Sequence, residues 1–199
     1  MGLLWAVAAL VVQVASAWGG GRKDYSRRSG SPGRGLLYSF TAAMTPAHKE
    51  TIRLHPVKFG IGLMMHVGVV LVLIASVVAM LGPEGGWVLL RWLRPVSAIA
   101  LLAGLYLLVR RARSPVLRAI SVPDDYLAVA ASCGLLAAAC LPLGTDGYQA
   151  VFLAYVGLLL GYLPLGKLRH AVFFFIARGD YGRRLGYRGV YPPAPVRSE

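Results

Sequence analysis

Four histidines occur in this chain, and two of them, His66 and His170, stand inside long apolar runs. Ionisable residues in apolar segments of membrane length are rare and are functional candidates by default. Imidazole is a good iron ligand, and one imidazole on each side of a porphyrin fills both axial positions, which suits electron transfer and leaves no place for oxygen chemistry. Reckoned from Pro56, His66 lies about 15 Å into its run, and His170 lies about 12 Å from Arg178 at the end of its own, at 1.5 Å per helical residue. If the two runs are antiparallel spans, the imidazoles share a level, as they must to hold one haem b between them. Gly60, Gly62 and Gly68 flank His66 with small residues that let a porphyrin approach the backbone, and Pro164 could kink the helix ahead of His170. Phe173, Phe174 and Phe175 add apolar bulk. Lys58, Lys167, Arg169 and Arg178 lie toward the edge where propionates would point, although cations at a span end ordinarily snorkel to water. The plain alternative is that each membrane histidine simply hydrogen-bonds a neighbouring helix.

His55 precedes His66 by eleven residues, so on one helix the two would share a face about 16 Å apart. That position admits a quinone headgroup or a second cofactor, and equally a solvated interface histidine ahead of Pro56. His48, between Ala47 and Lys49, reads as a surface or partner-contact residue. Cys133 and Cys140 fall on one helix face about 10 Å apart, too far for a disulfide, and no CxxC spacing exists for zinc or an iron–sulfur cluster. Phosphate loops, GxSxG elbows and HExxH motifs are absent.

The elements that must position these residues are apolar helices. Of 199 residues, 57% are hydrophobic, and the mean hydropathy of +0.61 is too high for a soluble domain. Five runs near membrane-spanning length can be read, at about 2–18, 56–81, 87–109, 126–143 and 148–177. The expected fold is an all-α, five-helix transmembrane bundle forming a single membrane domain over 1–199. A basic cytoplasmic loop (19–55) and a basic cytoplasmic tail (178–199) complete it, and Gly19–Gly35 reads as a mobile Gly/Arg/Ser stretch. Ala15-Ser16-Ala17 resembles a signal-peptidase site, but the positive charges follow the first run instead of preceding it, so a retained helix is expected.

The net charge of +13 is distributed by topology. Eight basic residues fall in 19–58, four in 110–118 and seven in 167–197, leaving only Arg91 and Arg94 for the other side. The positive-inside rule then places the N-terminus outside and the C-terminus in the cytoplasm of a multi-pass inner-membrane protein. Basic loops beside spans also account for the charge without a nucleic-acid partner.

Three stretches resemble the gamma-subunit family of respiratory nitrate reductase, which includes membrane cytochromes of heterodisulfide-reductase-type and sulfite-reduction-associated complexes. They are Met64-Met65-His66-Val67-Gly68-Val69, the basic stretch from Arg110-Arg111 through Ser114-Pro115 to Arg118, and Leu163-Pro164-Leu165-Gly166-Lys167-Leu168-Arg169-His170. Together they cover most of 56–178. The resemblance implies haem ligands at His66 and His170. Nitrate-reductase members carry a second histidine pair for an outer haem; Ser76 and Phe152 occupy those positions here, which implies one haem and removes the support for an outer quinol site. Arg178–Arg188 and Tyr191-Pro192-Pro193 resemble the heterodisulfide and sulfite branch. The resulting expectation is an electron-transfer subunit of an oxidoreductase complex, exchanging electrons between membrane quinol or quinone and a separate cytoplasmic iron–sulfur subunit. His55, Lys58, Lys167 and Arg169 are its candidate propionate or quinone contacts. The rivals are a haem-free membrane anchor for a soluble redox enzyme and a small transporter. Against the transporter, no apolar run carries an Asp or Glu, and no repeat symmetry is visible.

Overall fold

The structure, a computed structural model, describes residues 1–19, 30–45, 50–142 and 144–185. His48, Lys49, the basic residues Arg22 to Arg28, and the tail with Arg188 and Tyr191-Pro192-Pro193 lie outside the described residues. Among the described residues the regular elements are all helical: α1 (Gly2–Gly19), α2 (Pro32–Phe40), α3 (Glu50–Leu54), α4 (Pro56–Leu81), α5 (Pro83–Trp92), α6 (Arg94–Arg113), α7 (Pro115–Ala119), α8 (Pro123–Cys140), α9 (Asp146–Tyr162) and α10 (His170–Leu185). Of these, α1, α4 and α6 are each long and apolar enough to cross a membrane, and a fourth span results if α9 and the helical stretch Lys167–Arg184 count as one broken crossing. The chain is thus a helical protein of membrane type.

Prolines account for where the helices depart from the expected runs. The run 87–109 is not one helix: α5 ends at Trp92 and α6 begins at Arg94, with Pro95 in its first turn, where a residue lacking an N–H is tolerated. The run 148–177 is not one helix either. It stops at Tyr162, because Pro164 has no N–H to continue the ladder, and resumes at α10 after a 3₁₀ turn, Lys167–Arg169. The N–H groups of Leu165 and Gly166 both donate to the Tyr162 carbonyl, at 2.9 and 3.0 Å. Gly166 leaves room for the Tyr162 ring, which a Cβ there would have to push aside. Nor is 19–55 a featureless loop: it contains α2, α3 and a 3₁₀ turn at Ala42–Met44.

The described chain forms two compact units. The first comprises Met1–Ala9 and Val57–Leu168. Its most extensive helix pairing is α6 on α8, and its core gathers Ala6, Val72, Ala75, Leu90, Ala100, Leu135, Leu136, Phe152 and Val156. On α4 the buried positions Met65, Gly68, Val72, Ala75, Ser76 and Ala79 recur at helical spacing and form one inward stripe. Gly68 sits where α4 crosses α6: a Cβ there would stand 2.2 Å from Ala100 Cβ, so only glycine permits the contact. The first turn of α1 meets α9, with the Trp5 indole N–H donating to the Gly161 carbonyl at 3.2 Å. Buried Ser76, Ser97 and Ser132 each donate to the carbonyl four residues earlier, which satisfies a hydroxyl without a partner helix.

The second unit comprises Leu10–Pro56 and Arg169–Glu199. Its core contact is α2 against α10. The Ser39 hydroxyl donates to the Arg178 carbonyl at 2.9 Å, and the Arg178 guanidinium returns a bond to the Ser39 carbonyl at 2.8 Å. One turn on, a Cβ at Gly182 would meet the Gly35 carbonyl oxygen at 2.7 Å. With Phe40 stacked on Phe175, these pairs run in opposite senses along the two helices, so α2 and α10 are antiparallel.

Candidate functional site

His66 lies on the face of α4 opposite the buried stripe, among exposed Leu63, Val67 and Val70. Its Nδ1 is 2.7 Å from the Gly62 carbonyl oxygen. A carbonyl only accepts, so this bond requires the proton on Nδ1 and leaves Nε2 as the basic nitrogen, the tautomer in which a metal-binding imidazole is held. Beside the ring the helix surface is open, since a Cβ at Gly60 or Gly62 would meet nothing within 4 Å. Gly68 is different: it belongs to the α4–α6 crossing and leaves no gap for a porphyrin.

His170 is the first residue of α10 and is exposed, not buried in mid-helix. The eight residues from His170 to Arg178 are one continuous stretch of α10, but the run ahead of the histidine is broken after Tyr162, so His170 opens its helix instead of standing inside a longer one. His66 belongs to the first unit and His170 to the second.

The cations expected near a cofactor have varied surroundings. Lys58 is exposed in the first turn of α4. His55 is exposed in the one-residue link between α3 and α4, its backbone N–H donating to the Ile52 carbonyl at 3.2 Å. Lys167 is engaged in a local network: its Nζ donates to Asp125 Oδ1 at 2.6 Å, and its backbone N–H donates to Asp124 Oδ2 at 2.9 Å. Arg169 lines an open cleft of about 480 Å³ with Val12, Gln13, Ser16 and Phe173, all within the second unit. The other phenylalanines cluster separately: Phe175 stacks on Phe40 and meets Phe174 edge-on.

The Asp124–Asp125 pair is a feature that the histidine-centred reading of the sequence missed. Asp124 also accepts the Tyr162 hydroxyl, so one carboxylate gathers the last residue of α9 and the N–H that follows the Pro164 turn. Asp125 accepts the Val122 N–H at 2.9 Å and lies 3.8 Å from the Arg111 guanidinium, which itself donates to Ser121 at 2.7 Å. The Lys167 ammonium, with the Val122 N–H and the Arg111 charge, holds the Asp125 carboxyl below the usual carboxylate range. The visible signal was two adjacent acids after Pro123 in a chain with only eight, at a helix start where acids are favoured.

The two positions that would carry a second histidine pair lie in the core. Ser76 is fully buried and bonded to the Val72 carbonyl, and Phe152 is fully buried edge-on to Trp87 at 6.0 Å. Cys133 is buried and Cys140 half-buried, as small packing residues. Among the described residues, no group of three or more His, Cys, Asp or Glu side chains gathers to hold a metal ion. No protein-family model, curated protein or solved structure matches this chain.

Proposed function

We propose that this chain is a five-span membrane subunit with its N-terminus outside and its C-terminus in the cytoplasm, holding one b haem between His66 and His170. It exchanges electrons between a membrane quinol or quinone and a separate iron–sulfur subunit at the cytoplasmic face. The observation that carries this reading is the His66 imidazole, set outward on the longest apolar helix with Nδ1 bonded to the Gly62 carbonyl. That bond orients the ring with Nδ1 as the donor, and the open backbone surface at Gly62 is compatible with a flat macrocycle beside it. A bound haem would supply one-electron transfer, and His66 and His170 are the residues that would hold it. His170 supplies the second imidazole. Arg169, adjacent in sequence, supplies a cation for a propionate, and Lys58 and His55 are the remaining candidate contacts for a propionate or quinone headgroup. Lys167 is a weaker candidate, because its ammonium is already paired with Asp125. Packed side chains at Ser76 and Phe152 favour one haem over two.

A haem-free anchor for a soluble redox enzyme is the second reading, favoured by the pairing of Lys167 within the protein. One experiment separates the two. The purified protein is examined by reduced-minus-oxidised and pyridine haemochrome spectra, with haem counted per chain, alongside His66→Ala and His170→Ala. The expected result is one b haem per chain, lost or misligated in both variants. A colourless protein would leave only the anchor, and two haems per chain would overturn the single-site assignment.

A further inference from the structure

We infer that the α2–α10 pair is an interfacial membrane foot, whose ring cluster Phe40–Phe175–Phe174 inserts into the headgroup region of an anionic leaflet. Phe40 and Phe175 stack at 6.2 Å between centroids, Phe174 meets Phe175 edge-on at 5.4 Å, and the Arg178 guanidinium lies 5.8 Å over Phe174. These rings form a contiguous cluster, yet Phe175 is 61% exposed and Phe40 and Phe174 are each 37% exposed. A soluble fold would bury three touching phenylalanines, so their exposure asks for a cover.

The bilayer is the occupant the surroundings select. The same unit contains the second half of α1, a helix of spanning length whose Val11, Val12 and Trp18 are themselves exposed and need lipid. Phe173 in the first turn of α10 and Arg169 just before it share a cleft with that half of α1, so α10 starts beside a helix that needs lipid around it. Exposed Arg34 on α2 and Arg183 on α10 add cations to Arg178, whereas Asp180, the acid of α10, pairs with Arg184 at 3.6 Å. Aromatic rings with arginine around them match the membrane interface, and the excess positive charge matches acidic headgroups better than zwitterionic ones. The close backbone contact at Gly182 and the reciprocal Ser39–Arg178 bonds hold the two helices as one element, so insertion costs little further ordering.

The test uses the full chain in nanodiscs, with Cys133→Ala and Cys140→Ala, and a nitroxide attached through Phe175→Cys or, leaving the rings intact, Ala171→Cys. Collision with oxygen is compared with collision with a water-soluble nickel chelate, in phosphatidylcholine alone and with added phosphatidylglycerol. The expected result is a label favouring oxygen at both positions, and more so in the anionic discs, with the inserted-to-lifted ratio rising about fivefold for each arginine engaged. Labels open to the nickel chelate in both lipids would overturn the proposal and leave the rings to a protein partner. Equal insertion in the two lipids would overturn the selection for acidic headgroups.

Discussion

Exchanging one methyl group across the α4–α6 crossing should cost almost nothing, although each half of the exchange is harmful. A Cβ at position 68 would stand 2.2 Å from Ala100 Cβ, well inside the roughly 3.5–4.0 Å at which carbon atoms rest. Gly68→Ala therefore forces the helices apart at a cost of about 1–3 kcal/mol, offset by about 1 kcal/mol of helix propensity gained. Ala100→Gly alone gives up that propensity and opens a methyl-sized gap, about 2 kcal/mol in all. In Gly68→Ala/Ala100→Gly the propensities cancel and the methyl merely changes sides, so stability should return to near that of the parent. The coupling energy across the cycle is then about 2–4 kcal/mol, far above the roughly 0.5 kcal/mol scatter of independent sites. The measurement is equilibrium unfolding of the four proteins in mixed micelles, followed by tryptophan fluorescence. Additive effects would show that α4 and α6 do not meet at these residues. The inward stripe of α4, and with it the outward setting of His66, would then be wrong.

Other predictions concern the acids at the start of α8. Asp124→Ala removes the acceptor of both the Tyr162 hydroxyl and the Lys167 N–H, which should cost about 1–3 kcal/mol and speed amide exchange at 165–168. Unchanged exchange there would show that the turn holds without its carboxylate. Asp125 titrates below its ordinary value of 3.8, so its bonds with Lys167 and Val122 stabilise the fold above that pH and are lost as pH falls through the lower folded value. The acid limb of a stability–pH curve should accordingly flatten in Asp125→Asn. A limb as steep as the parent's would mean that Asp125 makes no such contribution.

The helical class and the runs that form α1 and α4 were legible because apolar runs speak locally. Pro56 opens α4, and the apolar run ends with that helix at Leu81. The interruptions were harder, although Pro95 and Pro164 stood in view. A proline inside an apolar run fits either a kinked span or two helices, and the turn after Tyr162 is held in part by Asp124, a residue 43 positions before Lys167. The helix α2 was read as loop because its reason for existing lies about 140 residues away, in the contacts of Ser39 with Arg178 and of Gly35 with Gly182. At the candidate site, composition singled out the two histidines. It did not show that one is tied to the carbonyl four residues before it, or that the other begins a helix.

The burial of Ser76 and Phe152 has a consequence for anyone wishing to enlarge the site. Histidine introduced at both positions would not create a cofactor pocket there, because what is missing is volume as well as ligands. The hydroxyl of Ser76 is spent on its own helix, and Phe152 fills its place against Trp87. Adding a metal centre would mean excavating the interior first, so at those positions a point substitution alone would not open a pocket.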